Sequence, residues 1–256
     1  MKLPAVDYHI HTVYSGHSSP EMLVRPIVEK AEQIGLESIA LTEHCFYSLM
    51  GPATMEAIQR DVAAVETRIE VLIGMEIDPD YTREGHLVFE DFNPGDLRPV
   101  LVSTHAYSGL GKGWHEKLSF TGAEKEKIYR DWFRIMEKTV TNPLVNGMAH
   151  PGRLLSRNGV VEEFSGEVLR DFERLFEAAA KNNVAIEIND NVLHRFETER
   201  LRKSYLDVLR LGMEKGLKFS IGSDAHQIED IGNRSRILAA AQSLGLHPSH
   251  FYRPKG

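Results

Sequence analysis

The sequence predicts an α/β fold of parallel strands joined by helices, either closed into a barrel or laid out as an open, doubly wound sheet. Three observations predict it. Seven short apolar runs rich in Val, Ile and Leu recur along the 256 residues, each short enough to be a buried strand. Amphipathic segments with helical spacing lie between most of them. Each run also ends in, or leads directly into, a metal-capable side chain, and parallel α/β folds gather functional groups at strand carboxyl ends.

The first run covers 5–11. A helix is expected over 20–34, with Ser19 and Pro20 as cap and first-turn residue and Gly35 just past its end. A strand over 38–44, a helix over 55–68 and a strand over 71–77 follow. Residues 78–96, with H-L-V-F-E-D-F, break the rhythm as a small hairpin or excursion. After the strand at 100–105, the Gly-, Ser- and Lys-rich stretch 107–122 reads as a long loop of the kind that serves as a functional lid. Helices over 123–139, 166–181, 197–215 and 234–243 alternate with strands over 145–150, 184–189 and 219–226, and Gly216 stands just past the third of these helices. No repeat, low-complexity tract or linker interrupts this order, so residues 1–256 read as one domain.

Composition narrows the function. A formal net charge of -7 argues against a general nucleic-acid binder, although a local basic pocket for one phosphate is compatible with it. The single Cys45 rules out an intrachain disulfide and suits a reducing cytoplasm. The amino terminus M-K-L-P-A-V-D-Y-H-I-H-T lacks the apolar run of a signal peptide, and no stretch approaches the roughly 20 apolar residues that span a bilayer. A cytoplasmic protein without membrane contact is expected; nothing in the sequence speaks to oligomeric state.

The chemistry lies at the strand ends. D-Y-H-I-H-T puts His9 and His11 two residues apart on a strand, where side chains alternate, so both imidazoles face one side. His17 follows in the loop after Gly16. The next strands end in T-E-H (His44), G-M-E-I-D (Glu76), S-T-H (His105) and A-H-P-G-R (His150). The sixth carries Glu187 and Asn189 on one face, and G-S-D-A-H repeats the spacing of two with Asp224 and His226. Any one of these residues has an ordinary structural explanation; the joint pattern does not. Imidazoles with a few carboxylates suit zinc, manganese or iron better than calcium or magnesium. Nine such ligands exceed the needs of one tetrahedral ion, so more than one metal is implied, with Glu76 able to bridge two.

These motifs, in this order, resemble the PHP (polymerase and histidinol phosphatase) superfamily: H-x-H-T, S-x-H, T-E-H, G-x-E, the strand-end His105, A-H-P-G and G-S-D-A-H. The resemblance runs from Asp7 to His226. It implies a distorted seven-stranded (β/α)7 TIM-like barrel binding two or three divalent ions (Zn, Mn or Fe). By the same resemblance the first metal takes His9, His11, Glu76 and Asp224. The second shares Glu76 and adds His105 and His150, and the third takes His17, His44 and His226. H-T-V-Y-S-G-H-S, A-H-P-G-R and V-A-I-E-I-N-D-N-V-L-H are most similar to the small bacterial trinuclear-metal phosphatases of the superfamily. C-F-Y-S after His44 departs from the A-P expected in its histidinol-phosphate phosphatase branch.

The expected function is hydrolysis of a small phosphomonoester, with hydroxide held between two ions as nucleophile. Glu76 serves as the bridge, and Asp224 or His226 as the proton donor to the leaving alcohol. Arg153 is the candidate phosphate grip, and His194, Arg83 and Lys112 are further pocket candidates; His86, His115, His247 and His250 fit no ligand position. Asp7 and Asn189 read as groups that orient ligands, and Glu187 as that or a pocket-wall carboxylate. Histidinol-phosphate phosphatase is the alternative within this class. A metal-dependent C–N hydrolase of the amidohydrolase type and a non-catalytic, RNA-binding scaffold are the alternatives outside it.

Overall fold

A computed structural model describes residues 3–45, 52–88, 95, 97–105, 119–157 and 159–254. Among them seven strands pair in chain order, each parallel to the next: β1 (Val6–Ile10), β2 (Ser38–Cys45), β3 (Glu70–Ile77), β4 (Val100–Val102), β5 (Gly147–Met148), β6 (Ala185–Asn189) and β7 (Phe219–Gly222). Closure comes from a parallel bridge between Ile10 and Ala225. There His11 N donates to Ala225 O at 3.0 Å and Asp224 N to His9 O at 2.8 Å. The sheet is therefore a nearly closed α/β TIM-like barrel, not an open doubly wound one. The bonds that close it lie at its carboxyl rim, among the residues singled out for metal binding.

Helices fill the crossovers: α1 (Val24–Gln33), α2 (Pro52–Ala63), α3 (Gly122–Thr139), α4 (Arg153–Arg157), α5 (Glu167–Lys181), α6 (Asp190–Arg195), α7 (Glu199–Glu214) and α8 (Ser235–Leu244). Thr121 caps α3 by accepting from Glu124 N, and the Glu124 side chain returns to the Thr121 N–H. Gly35 and Gly216, both with φ of 76°, stand past the ends of α1 and α7 as expected.

Several boundaries differ from expectation. α1 begins at Val24 with Leu23 as its cap, not at Ser19–Pro20. Ser19 instead spends its backbone on the rim: its N–H donates to His226 O at 2.9 Å, and its carbonyl accepts from Met22 N at 2.9 Å. α4 and α6 were not anticipated. They are one- to two-turn helices of five and six residues, too short for a periodic signal. Within 78–96, an antiparallel bridge between Pro79 and Leu87 forms the expected excursion; residues 89–94 and 96 lie outside the described residues. So do Lys112, His115, the C-F-Y-S residues Phe46–Ser48 and 107–118 of the expected lid. No helix among the described residues is long and apolar enough to cross a membrane.

Strands β1, β2, β6 and β7 are buried along their whole length because helices cover them outside and side chains fill them inside. An aromatic cluster seats α3 and α5: Phe172 lies 5.7 Å from Trp132, 5.1 Å from Phe133 and 5.4 Å from Phe176, centroid to centroid. Truncating fully buried Phe172 to Ala should cost about 3–5 kcal/mol by denaturant unfolding. A loss below about 1 kcal/mol would show that this cluster does not anchor the helices.

Candidate metal centre

Each strand end delivers its side chain to one point, and Glu76 occupies it. Its Oε1 lies 2.7 Å from His150 Nε2 and 3.3 Å from His105 Nε2. Its Oε2 lies 2.8 Å from His44 Nδ1, 3.4 Å from His9 Nε2 and 3.5 Å from His11 Nε2. Asp224 Oδ1 closes the near side at 3.3 Å from His11 Nε2 and 3.8 Å from His9 Nε2. Toward solvent, His17 Nε2 and His226 Nε2 approach to 2.9 Å. Their rings sit beside His44 and His11, at centroid separations of 4.9 and 4.3 Å.

All nine sequence-predicted ligands thus meet in one cluster. Four overlapping groups have ligand atoms within 4.8 Å of one another: His9–Glu76–His150, His9–His11–Asp224, His44–Glu76–His105 and His11–His44–His226. These groups overlap instead of separating into three sets, since His44 faces Glu76 and His105 as well as His11 and His226.

The outward nitrogens of five rings are already committed, while His150 Nδ1 is buried without a hydrogen-bond partner among the described residues. His9 Nδ1 is 2.7 Å from Glu187 Oε1, His11 Nδ1 3.3 Å from Glu43 Oε1 and His105 Nδ1 2.8 Å from Asp78 Oδ1. His17 Nδ1 and His226 Nδ1 meet the carbonyls of Ser15 (3.2 Å) and Asp224 (3.0 Å). A carbonyl only accepts, so these two Nδ1 atoms carry protons, and neutral rings must then present Nε2 lone pairs inward. Lone pairs 2.9 Å apart repel unless a proton or a metal ion lies between them. His9 and His11 bring their Nε2 atoms to 3.1 Å, where either a proton on His9 or a metal ion can lie between them. Inward lone pairs, outward protons fixed by carboxylates or carbonyls, and two carboxylates among them make a donor set fitted to divalent metal.

Protonation reflects the same demand. Burial opposes charge on His9, but Glu187 and Glu76 outweigh it and hold the imidazole well above its usual range. Burial, and then His226, push His11 down to about 3. Burial likewise opposes charge on His105, yet Glu76 and Asp78 hold it up at about 9. Against the cost of burial, surrounding imidazoles keep both Glu76 and Asp224 well below the ordinary carboxylate range. Two ligands also adopt left-handed backbone, His150 at φ 30° and Asp224 at φ 58°. Such conformations cost of order 1–3 kcal/mol and persist where surrounding contacts impose them.

Glu187 imposes much of this. Its Oε1 meets His9, while Oε2 accepts from His150 N at 2.9 Å and from Asn189 Nδ2 at 3.0 Å. A Cβ on Gly222 would fall 1.9 Å from Glu187 Oε1 and 2.6 Å from His9 Cβ, which is why the G-S-D-A-H motif opens on glycine. Asp7 works through backbone, accepting from Ser223 N and Gly232 N, both at 2.9 Å.

Sequence reasoning missed Asp78 and Asn191. Asp78 stands two residues beyond Glu76, so strand alternation could have flagged it. Asn191, whose amide donates to Asp224 Oδ2 at 3.2 Å, lies on the unanticipated α6 and left no periodic signal. Glu43, the middle residue of T-E-H, also accepts from Thr12 N and Oγ1. Arg153, on α4, and His194, on α6, line two cavities whose described walls include none of the nine ligands. His194 Nδ1 lies 3.1 Å from Arg236 Nη2. Arg83 is paired with Asp80 at 2.7 Å, and His247 and His250 cap a short 3-10 turn.

Glu187→Gln should weaken zinc binding about 10- to 100-fold in a chelator competition without loss of helical signal; unchanged affinity would remove Glu187 from the support of His9. Metal must also displace the proton that His105 holds below about pH 9. Zinc affinity should therefore climb as pH rises from 6.5 towards 9, and the Asp78→Asn variant should flatten the climb; a pH-independent affinity would contradict this.

The PHP domain family model matches residues 7–191. The chain is 27% identical over 247 residues to the DNA polymerase/3'-5' exonuclease PolX of Bacillus subtilis (strain 168), covering 92% of this chain but spanning only 36% of that protein. To the histidinol-phosphatase of the same strain it is 26% identical over 269 residues, covering 88% of this chain and 95% of the relative. The structure of histidinol phosphate phosphatase from Lactococcus lactis subsp. lactis Il1403, complexed with zinc, L-histidinol and phosphate, superposes with a TM-score of 0.72 at 24% identity, covering 96% of this chain and 95% of that one. With its strand-end motifs, its barrel and a family match over most of its length, the chain belongs to the PHP family.

Proposed function

We propose that this protein is a metal-dependent phosphoesterase acting on a small phosphomonoester. The observation that carries the reading is the convergence of seven imidazoles and two carboxylates, with Nε2 pairs facing each other at 3.1 and 2.9 Å. Divalent ions held there would supply a water acidified towards neutrality and positive charge against the phosphoryl oxygens.

The chain's own residues have distinct tasks. His9, His11, Glu76 and Asp224 would hold one ion, and Glu76 with His105 and His150 a second. His17, His44 and His226 would hold a third. Glu76 is assigned the bridge because both its oxygens face imidazoles on different strands. Asn191 holds Asp224 Oδ2, which leaves Oδ1 towards His9 and His11. Proton delivery to the leaving alcohol is assigned to His226, 23% exposed at the rim, in a form with two ions that leaves its Nε2 unligated, in preference to Asp224, which the imidazoles keep ionised. Arg153, one turn beyond His150, is assigned to grip a phosphoryl oxygen pair through its planar fork, and His194 to the pocket wall.

Histidinol phosphate is the first substrate to test, because relatives named for that activity match over most of both chains. The paired rim histidines His17 and His226, beyond what a binuclear C–N hydrolase uses, favour a phosphate ester over an amide. A net charge of -7 favours a small substrate over a nucleic-acid strand.

Glu76→Gln should lower kcat on phosphomonoesters by roughly 10²- to 10³-fold or more while the fold is retained by circular dichroism. Chelation should abolish turnover, and zinc or manganese should restore it. Retained activity in the variant, or amide hydrolysis with no phosphate release across a small-phosphoester panel, would sink the proposal.

A further inference from the structure

Helices α4 and α6 carry a second constellation that the metal centre does not use. Arg153, Arg157 and Arg195 share a cavity of about 400 Å³ with Phe196 and one acidic side chain, Glu197. Among the described residues none of these three arginines forms an ion pair with a carboxylate, although they share one cavity. Burial, and then the charges of Arg153 and Arg195, push the Arg157 guanidinium below its ordinary value. Three like charges crowded into one cavity repel, and an anion relieves that repulsion.

Among the described residues none of the nine ligands lines this cavity, but its walls are joined to theirs. Arg153 N donates to His150 O at 3.1 Å, one turn from a candidate ligand. Arg195 also lines a neighbouring cavity of about 320 Å³ together with Asn191 and Ser223, and Asn191 reaches Asp224 Oδ2 at 3.2 Å. A chain of polar groups therefore leads from Asp224 to the arginines. One phosphomonoester brings at most two negative charges, and the ions, with Arg153, already answer them. Arg157 and Arg195 are then surplus to a singly phosphorylated substrate.

We propose that Arg157 and Arg195, in the cavity they share with Arg153, bind a second phosphate carried by the substrate, so that doubly phosphorylated small molecules are preferred over their monophosphates. The forked guanidinium groups suit the multiple oxygens of a phosphate better than a single carboxylate. This inference rests on the phosphoesterase reading, and its test separates the two.

Metal-loaded wild-type protein and the double variant Arg157→Gln with Arg195→Gln are titrated with inorganic phosphate, followed by calorimetry and phosphorus NMR. Wild type is expected to bind two phosphates per chain and the variant one, with equal metal content and circular dichroism. In chelated wild type the arginine-dependent phosphate should persist while the other is lost. If no phosphate depends on metal but one depends on the arginines, the phosphoesterase reading fails and the anion site stands. A single phosphate in wild type, or two in the variant, overturns the anion site. Arg157→Lys, which keeps the charge and loses the fork, should fall between.

A panel of alkanediol bisphosphates of increasing length against their monophosphates then tests whether the second phosphate is the substrate's. The best bisphosphate should exceed its monophosphate in kcat/KM by about tenfold, and that ratio should collapse in the double variant. Ratios near one along the whole panel, with phosphate still bound at the arginines, would make the cavity a site for a free anion and overturn the proposal.

Discussion

Two pairs of imidazoles, His9 with His11 and His17 with His226, bring ring nitrogens to 3.1 and 2.9 Å while their outer nitrogens are committed elsewhere. The rim is built around that juxtaposition. Neutral rings so arranged oppose their lone pairs, and the arrangement is relieved only by positive charge between them, whether a proton or a metal ion. In the protein alone, Glu187 and Glu76 hold His9 above its usual range against the cost of burial, while burial and then His226 push His11 down. A divalent ion meets the same need for both pairs together and also satisfies Glu76 and Asp224.

The barrel explains how such an unfavourable assembly is held. Closure of β1 onto β7 runs through His9 O, His11 N and the backbone of Asp224 and Ala225, so the bonds that complete the sheet also set the spacing of the first ligands. Glu187 ties β6 to β1 through His9 and to the end of β5 through His150 N. Asp78 does the same for His105 just past β4. The left-handed backbone of His150 and Asp224 is the local cost of aiming these side chains inward, offset by the hydrogen bonds that converge on them.

Most of this was legible in the sequence because period-two alternation and strand length survive in any parallel barrel. The i, i+2 spacing of His9 with His11 predicts a shared face, and the structure puts their Nε2 atoms in contact distance. The spacing of Asp224 and His226 carried less, since both follow β7 and their meeting depends on the positive φ of Asp224. Helix ends were less legible. Ser19–Pro20 is a plausible start for α1, but Ser19 is drawn into bonding with His226 and the helix waits for Val24. α4 and α6 are too short for periodicity, so Arg157, Arg195 and Asn191 had no context in which their proximity to the centre could be read. Closure of the barrel, as opposed to an open sheet, rests on long-range pairing that local pattern does not encode.

The central claim is that positive charge from metal occupies the space between the opposed imidazoles. Anomalous X-ray diffraction at the zinc, manganese and iron edges, on protein purified without chelators, tests it directly. The account predicts two or more metal peaks, one ligated by Nε2 of both His9 and His11 and, where a third ion is bound, one touching both His17 and His226. An ordered structure with both histidine pairs in place and fewer than two metal peaks would contradict it.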